Sequence, residues 1–121
     1  MKYLTLEDYQ SSLFSTHKDN ENLETFIALA EQDLEIITFN YISNFDKLSI
    51  TNQLYLKQIL VQHTDFIIEN YDYLNSIVDN YETLETKFQI GSHNIIQANG
   101  VIILKKLYVL LVQRGFINAK A

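Results

Sequence analysis

Apolar positions in the first half of the chain recur at spacings of three and four: Leu23, Phe26, Ile27, Ala30, Leu34 and Ile37. That is the period of a helix with one buried face, and Glu24, Glu31, Gln32 and Glu35 fall on its wetter side. The β-branched and aromatic run over residues 36–42 marks its end. Residues 40–50 then read as a loop that tucks Phe45 and Leu48 against the core. A further helix opens at Ser49 or Thr51, either of which can cap free backbone amides, and runs to about Tyr71. Its apolar positions are Leu54, Tyr55, Ile59, Leu60, Phe66 and Ile67, with Lys57, Gln58, Gln62 and Glu69 left to solvent. Upstream, Thr5 and Asp8 suit the cap and first turn of a short helix reaching Leu13, followed by a polar connector over residues 17–22.

The second half is less regular. Residues 72–86 are acidic with spaced Tyr73, Leu74, Ile77, Val78, Tyr81 and Leu84, the pattern of a helical extension or a separate helix. Over residues 87–97, Phe88 and Ile90 alternate with polar neighbours, Gly91, Ser92, His93 and Asn94 supply turn residues, and Ile95 and Ile96 follow. This predicts a small β-hairpin or an extended loop. Four bulky apolar residues do not make an isolated hairpin stable in water, so they must rest on the helices or on a neighbouring molecule. Asn99 then caps and Gly115 ends a last helix, in which ten of the twelve residues 101–112 are apolar. A helix apolar nearly all round is either a central core element or a subunit interface. The fold class is therefore expected to be all-α: a small bundle of about four helices with a short β-hairpin or extended loop before the C-terminal helix.

Composition adds limits to this picture. A chain of 121 residues suits one domain, residues 1–121, and 47% hydrophobic content is enough to build its core. The absence of proline and the presence of only three glycines permit long helices. No cysteine is present, which excludes disulfides, thiol nucleophiles and thiolate metal sites and fits assembly in a reducing cytoplasm. Residues 1–10 lack the basic and apolar parts of an export signal. The longest apolar stretch, residues 101–112, is broken by Lys105 and Lys106 and falls short of the roughly 20 residues that cross a bilayer, so no membrane association is expected. A net charge of −6 repels polyphosphate and predicts weak binding to nucleic acid.

Candidate chemistry is sparse. His17, His63 and His93 lie on separate predicted elements without a helical i, i+4 partner, so they read as surface or hydrogen-bonded structural histidines and no metal is expected. Glu31, Asp33 and Glu35, and later Asp72, Asp79, Glu82 and Glu85, read as solvated helix faces rather than a catalytic carboxylate pair. Phosphate-binding glycine loops, serine elbows and dinucleotide fingerprints are missing, so neither enzymatic activity nor a cofactor is expected. Lys105, Lys106 and Arg114 are too few for a nucleic-acid patch. The eight tyrosines, among them Tyr55, Tyr71, Tyr73 and Tyr81, suit half-buried protein surfaces better than base stacking.

Three stretches carry a family resemblance. Residues 26–42, FIALAEQDLEIITFNYI, place Ala30, Glu35, Thr38 and Phe39 in an apolar helix followed by an acidic residue and a Thr-Phe pair. Residues 88–95, FQIGSHNI, form a short hairpin-like segment, and residues 107–117, LYVLLVQRGFI, a closing helix with an arginine-glycine-apolar tail. In this order they resemble the head-tail connector family (head-completion or adaptor proteins) of tailed phages and prophages. Glu35 stands where that family more often has aspartate, and the acidic stretch 71–86 has no counterpart.

The resemblance implies a structural virion protein at the head–tail interface, assembled in the host cytoplasm. It would be one subunit of a homo-oligomeric ring of about a dozen copies, whose side-to-side contacts must be heterologous and close on themselves. The ring would dock under the portal protein and above a tail-completion or second connector protein, with DNA only as passing cargo. The residues expected at these interfaces are Phe88, Ile90, Ile95 and Ile96 in the hairpin segment and Arg114, Phe116 and Ile117 in the tail. For the hairpin residues, packing on the chain's own helices is the competing expectation. A different class of function is a small acidic helical regulatory module of a phage or prophage that binds another protein.

Overall fold

The computed structural model describes residues 2–75 and 94–117; Phe88, Ile90 and the acidic residues after Asn75 lie outside them. The described chain is mostly helical, with a small antiparallel hairpin directly before the last helix.

Helix α1 spans Leu6–Ser11, shorter at its end than the apolar pattern predicts. Its start follows the sequence closely. The Thr5 hydroxyl accepts the Asp8 N–H at 3.0 Å, and the Asp8 carboxylate accepts the Thr5 N–H at 3.1 Å. This reciprocal box satisfies two amides that the first turn leaves free and is worth about 1 kcal/mol.

Helix α2, Leu23–Ile37, buries Leu23, Ile27, Ala30, Leu34 and Ile37 as its periodicity predicts, and buries Glu31 with them. Its end is unusual. Phe39 and Asn40 both take left-handed backbone angles, φ 53° and 63°, and the Asn40 N–H closes the helix by donating to the Glu35 carbonyl at 2.7 Å. Asparagine tolerates this region, but a bulky side chain there costs roughly 1–2 kcal/mol. The expected loop after α2 is a 3-10 stretch, Tyr41–Lys47, which buries Ile42 and leaves Phe45 and Leu48 half-buried against the core.

Helix α3 runs over Ile50–Asn75 with one non-helical residue, Asn70. Ser49 is its cap, since the Ser49 hydroxyl accepts the Asn52 N–H at 3.1 Å. Beyond the predicted apolar positions, α3 also buries Leu56, Val61, His63, Thr64 and Asp65. It is therefore a central helix rather than one with a single inward stripe. Leu54, expected inside, is instead 61% exposed.

A small hairpin directly before the last helix forms as expected, but it lies further along the chain than residues 87–97, of which 87–93 are outside the described residues. Strand β1 is Ile95–Ala98 and strand β2 is Val101–Leu104, paired antiparallel from Ile95 opposite Leu104 to Ala98 opposite Val101. Between them Asn99 and Gly100 both have positive φ, the pattern of the two-residue turn that matches strand twist. Asn99 is thus a turn residue and not a helix cap. The β-branched residues Val101, Ile102 and Ile103 continue the sheet, and helix α4 begins only at Lys105 and ends at Gln113. The near-continuous apolar run is thereby divided between two elements: β2 buries Val101 and Ile103, and α4 buries Leu107 and Leu111.

Gly115, at φ 81°, ends α4, and the amides of Phe116 and Ile117 fold back onto the Leu111 carbonyl at 2.9 and 3.3 Å. Phe116 and Ile117 are consequently buried in the chain's own core, which also gathers Tyr9, Ile27, Leu34, Ile42, Leu60, Ile103 and Leu107. Of the tail residues expected at an interface, Phe116 and Ile117 are thus turned into the core, while Arg114 stays exposed.

Candidate functional site

The side chains most suggestive of chemistry are the carboxylates, and the fold uses them to fasten its own N-terminal segment. Glu31 is not a solvated residue. From the buried face of α2 its Oε2 accepts the backbone N–H groups of Lys2, Tyr3 and Leu4 at 2.7, 2.6 and 3.1 Å. One turn later, Glu35 accepts the Tyr3 hydroxyl at 2.7 Å and the Lys2 ammonium at 3.1 Å. On α3, Asp65 accepts the Tyr9 hydroxyl, the Thr16 N–H at 3.0 Å and the Thr16 hydroxyl at 3.1 Å. The Tyr9 oxygen in turn accepts the His17 N–H at 3.0 Å, and His17 Nε2 lies 2.9 Å from Glu69.

These contacts tune the acids in predictable directions. Burial pushes the Tyr3 and Tyr9 phenols above their ordinary value of 10.0, and hydrogen bonds to Glu35 and Asp65 push the same way. For Glu35, burial alone would raise the carboxyl, but the Tyr3 hydroxyl and Lys2 outweigh it and hold it low. Asp8 is similar: burial is outweighed by the Thr5 amide and by Lys57 at 3.2 Å. A carboxylate whose lone pairs are taken by its own chain's amides and hydroxyls is poorly placed to accept a substrate proton.

His63 is fully buried on α3, its Nε2 2.9 Å from Asp33 Oδ2 and its ring stacked on Phe66 at a centroid distance of 5.9 Å. Its Nδ1 has no hydrogen-bond partner among the described residues. Asp33 is therefore another acid expected in solvent that ties α2 to α3. Among the described residues no group of three or more His, Asp or Glu side chains is placed to hold a metal ion. None of the described helices is long and apolar enough to cross a membrane.

Of the residues expected at an interface, Phe88 and Ile90 lie outside the described residues, and the other five differ in burial. Ile95 and Ile96 are half-buried on β1; Ile96 packs on the core, while Ile95 lines an open cleft of about 500 Å³ beside Asp65 and Glu69. Arg114 is exposed, its guanidinium 3.6 Å from the centroid of the Tyr55 ring, a cation–π contact. Phe116 and Ile117 are core residues, and Phe116 meets the Tyr41 ring edge-on at 6.2 Å.

Exposed apolar side chains occur where sequence reasoning did not place them. Leu13 is 97% exposed, Ile50 75%, Phe39 72% and Leu54 61%. Leu13, Phe14 and Leu54, with Leu4 and Val61 deeper, line a groove of about 330 Å³. Leu13 could have been suspected, because it follows a short helix and precedes a polar connector. Phe39 could not, because a helix that ends in a left-handed phenylalanine leaves no sequence signal.

Comparison with protein-family models, with curated proteins and with solved structures finds no match for this chain.

Proposed function

We propose that this chain is a non-catalytic assembly subunit, and that the assembly is the head-tail connector ring of a tailed phage. The observation that carries the reading is the set Leu13, Phe39, Ile50 and Leu54, four large apolar side chains each more than three-fifths exposed. Exposed apolar residues scattered singly are ordinary, but Leu13 and Leu54 meet Phe14 along one groove, and a contiguous apolar surface is what a protein partner covers. The use of Glu31, Asp33, Glu35 and Asp65 as internal fasteners supports the same reading, since these four acids are committed to the chain's own hydrogen bonds. The net charge of −6 suits a ring through which DNA passes without adhering.

In this reading the partners are further copies of the chain, the portal protein above and a tail-completion or second connector protein below, at the head–tail interface of the virion. The test is co-sedimentation of the purified chain with portal rings, followed by electron microscopy. Added density under the portal supports a connector. Failure to bind any portal, together with capture of a repressor from the same phage genome, would instead identify a regulatory module.

A further inference from the structure

Asn99 and Gly100 are a chemically unstable pair held in a protective shape. When glycine follows asparagine, its unshielded backbone nitrogen can attack the asparagine side-chain carbonyl and displace ammonia. Both residues are exposed in the turn between β1 and β2, and a Cβ built on Gly100 would meet nothing within 4 Å, so water reaches the pair and the space around it is open.

The backbone is what stands in the way. Asn99 has φ 53° and Gly100 φ 82°, the left-handed pair of a two-residue hairpin turn. In the left-handed conformation a residue's Cβ lies beside its own carbonyl oxygen. The next nitrogen is on the opposite side of that carbonyl carbon, so the Gly100 nitrogen faces away from the Asn99 side chain. Bringing the two together takes a large rotation about the Asn99 Cα–C bond, which the pairing of Ala98 with Val101 blocks while the hairpin is closed.

We propose that Asn99 is a self-modification site gated by the hairpin: it converts to aspartate and isoaspartate when β1 and β2 part, and the isoaspartate form does not close the same turn again. The only co-reactant is water. With the strands apart, hydroxide or water takes the Gly100 amide proton, the nitrogen bonds to Asn99 Cγ, the Cγ–Nδ2 bond breaks, and Nδ2 leaves as ammonia with a proton returned from water. A second water opens the resulting cyclic imide at either carbonyl. Nothing is oxidised or reduced; the chain loses ammonia and gains water. Isoaspartate runs the main chain through the former side chain and lengthens it by one carbon, which upsets a closure that two residues make from Ala98 to Val101. Val101 and Ile103, the buried side chains of β2, are then no longer held in place, nor is the start of α4 directly after them.

The test is peptide mapping by mass spectrometry of the full chain kept in mildly alkaline buffer, folded or unfolded in urea. Conversion at Asn99 should be roughly tenfold or more slower in the folded chain, its rate there set by how often the hairpin opens. Val101→Ala, which thins the packing under β2, should speed it about threefold or more, while Glu31→Ala, which frees the N-terminal segment instead, should leave it near the rate of the unmodified chain. Should Val101→Ala fail to fold, Ile96→Ala on β1 takes its place. The purified isoaspartate form should melt lower than the unmodified chain. Asn99→Asp carries the same new charge and suits the same turn, so it should melt close to the unmodified chain. The proposal is overturned if Asn99 stays intact in urea, if the folded chain converts as fast as the unfolded one, if Glu31→Ala accelerates conversion as much as the hairpin variant, or if the isoaspartate form melts like Asn99→Asp.

Discussion

The carboxylate of Glu31, on the buried face of α2, accepts the backbone N–H of Tyr3 at 2.6 Å, and the same oxygen also serves Lys2 and Leu4. One acid thus satisfies three successive amides of a bent segment that belongs to no helix or sheet. Tyr3 and Leu4 are themselves buried, so their two amides cannot turn to water instead.

Replacing Glu31 by alanine should therefore cost about 2–4 kcal/mol, since charge-assisted hydrogen bonds are lost and buried donors are left unpaired. Glu31→Gln keeps one acceptor oxygen and should lose less. Denaturant unfolding measures both, and limited proteolysis of the alanine variant should cut first in the N-terminal segment. Equal stability of all three proteins would show that the strap contributes nothing.

The pH dependence follows from Tyr3 and Glu35 on this strap, Asp8 at the α1 cap and Tyr9 against Asp65. Asp8 and Glu35 titrate below their ordinary values of 3.8 and 4.5, so their contribution is present above those values and is lost as the pH falls through the lower folded ones. Tyr3 and Tyr9 titrate above 10.0, so theirs is present below pH 10.0 and is lost as the pH rises beyond it. Thermal melting across this range should give a plateau with two falling limbs. Glu35→Gln should flatten the acid limb and Tyr3→Phe the alkaline one.

How much of this was legible in the sequence depends on whether the signal is local. Thr5 as a cap with Asp8 in the first turn, the inward positions of α2 and a cap at Ser49 or Thr51 all follow from residues within a few places of one another, and all were readable. Glu31 was not, because its partners are 27 to 29 residues away and its place in the acidic pattern is that of a solvated residue. Asp65 and Tyr9, 56 residues apart, were hidden for the same reason. The displaced hairpin is a different case. Asn99-Gly100 is a strong local turn signal, but the dense apolar run after it reads equally well as a helix, and residue type alone does not divide strand from helix there.

That turn supplies its own test. Gly100 has φ 82°, and a Cβ built on it would meet nothing within 4 Å, so the penalty for a side chain is conformational and not steric. Gly100→Ala should cost about 1 kcal/mol, and Gly100→Asn, whose side chain tolerates the left-handed region, should cost less. Thermal melts of the two variants give the comparison. A tolerated alanine would argue against the two-residue turn.

The closing residues separate a core role from a docking role. Phe116 is 1% exposed and packs against Tyr41, so Phe116→Ala leaves a cavity and should cost about 3–5 kcal/mol. Removing everything after Val112 deletes Ile117 and the Gly115 turn as well, and should unfold much of the chain. Loss of assembly in either variant would then say nothing about a partner surface. Arg114 is the residue in this segment that can speak to docking. It is exposed, and its contact with the Tyr55 ring contributes only about 0.5–1 kcal/mol, so Arg114→Ala should melt nearly normally. Melting of the three variants beside portal co-sedimentation decides the matter: a normally folded Arg114→Ala that no longer binds would place the tail at the interface, whereas normal binding would leave Phe116 and Ile117 as core residues and Arg114 as a surface cation.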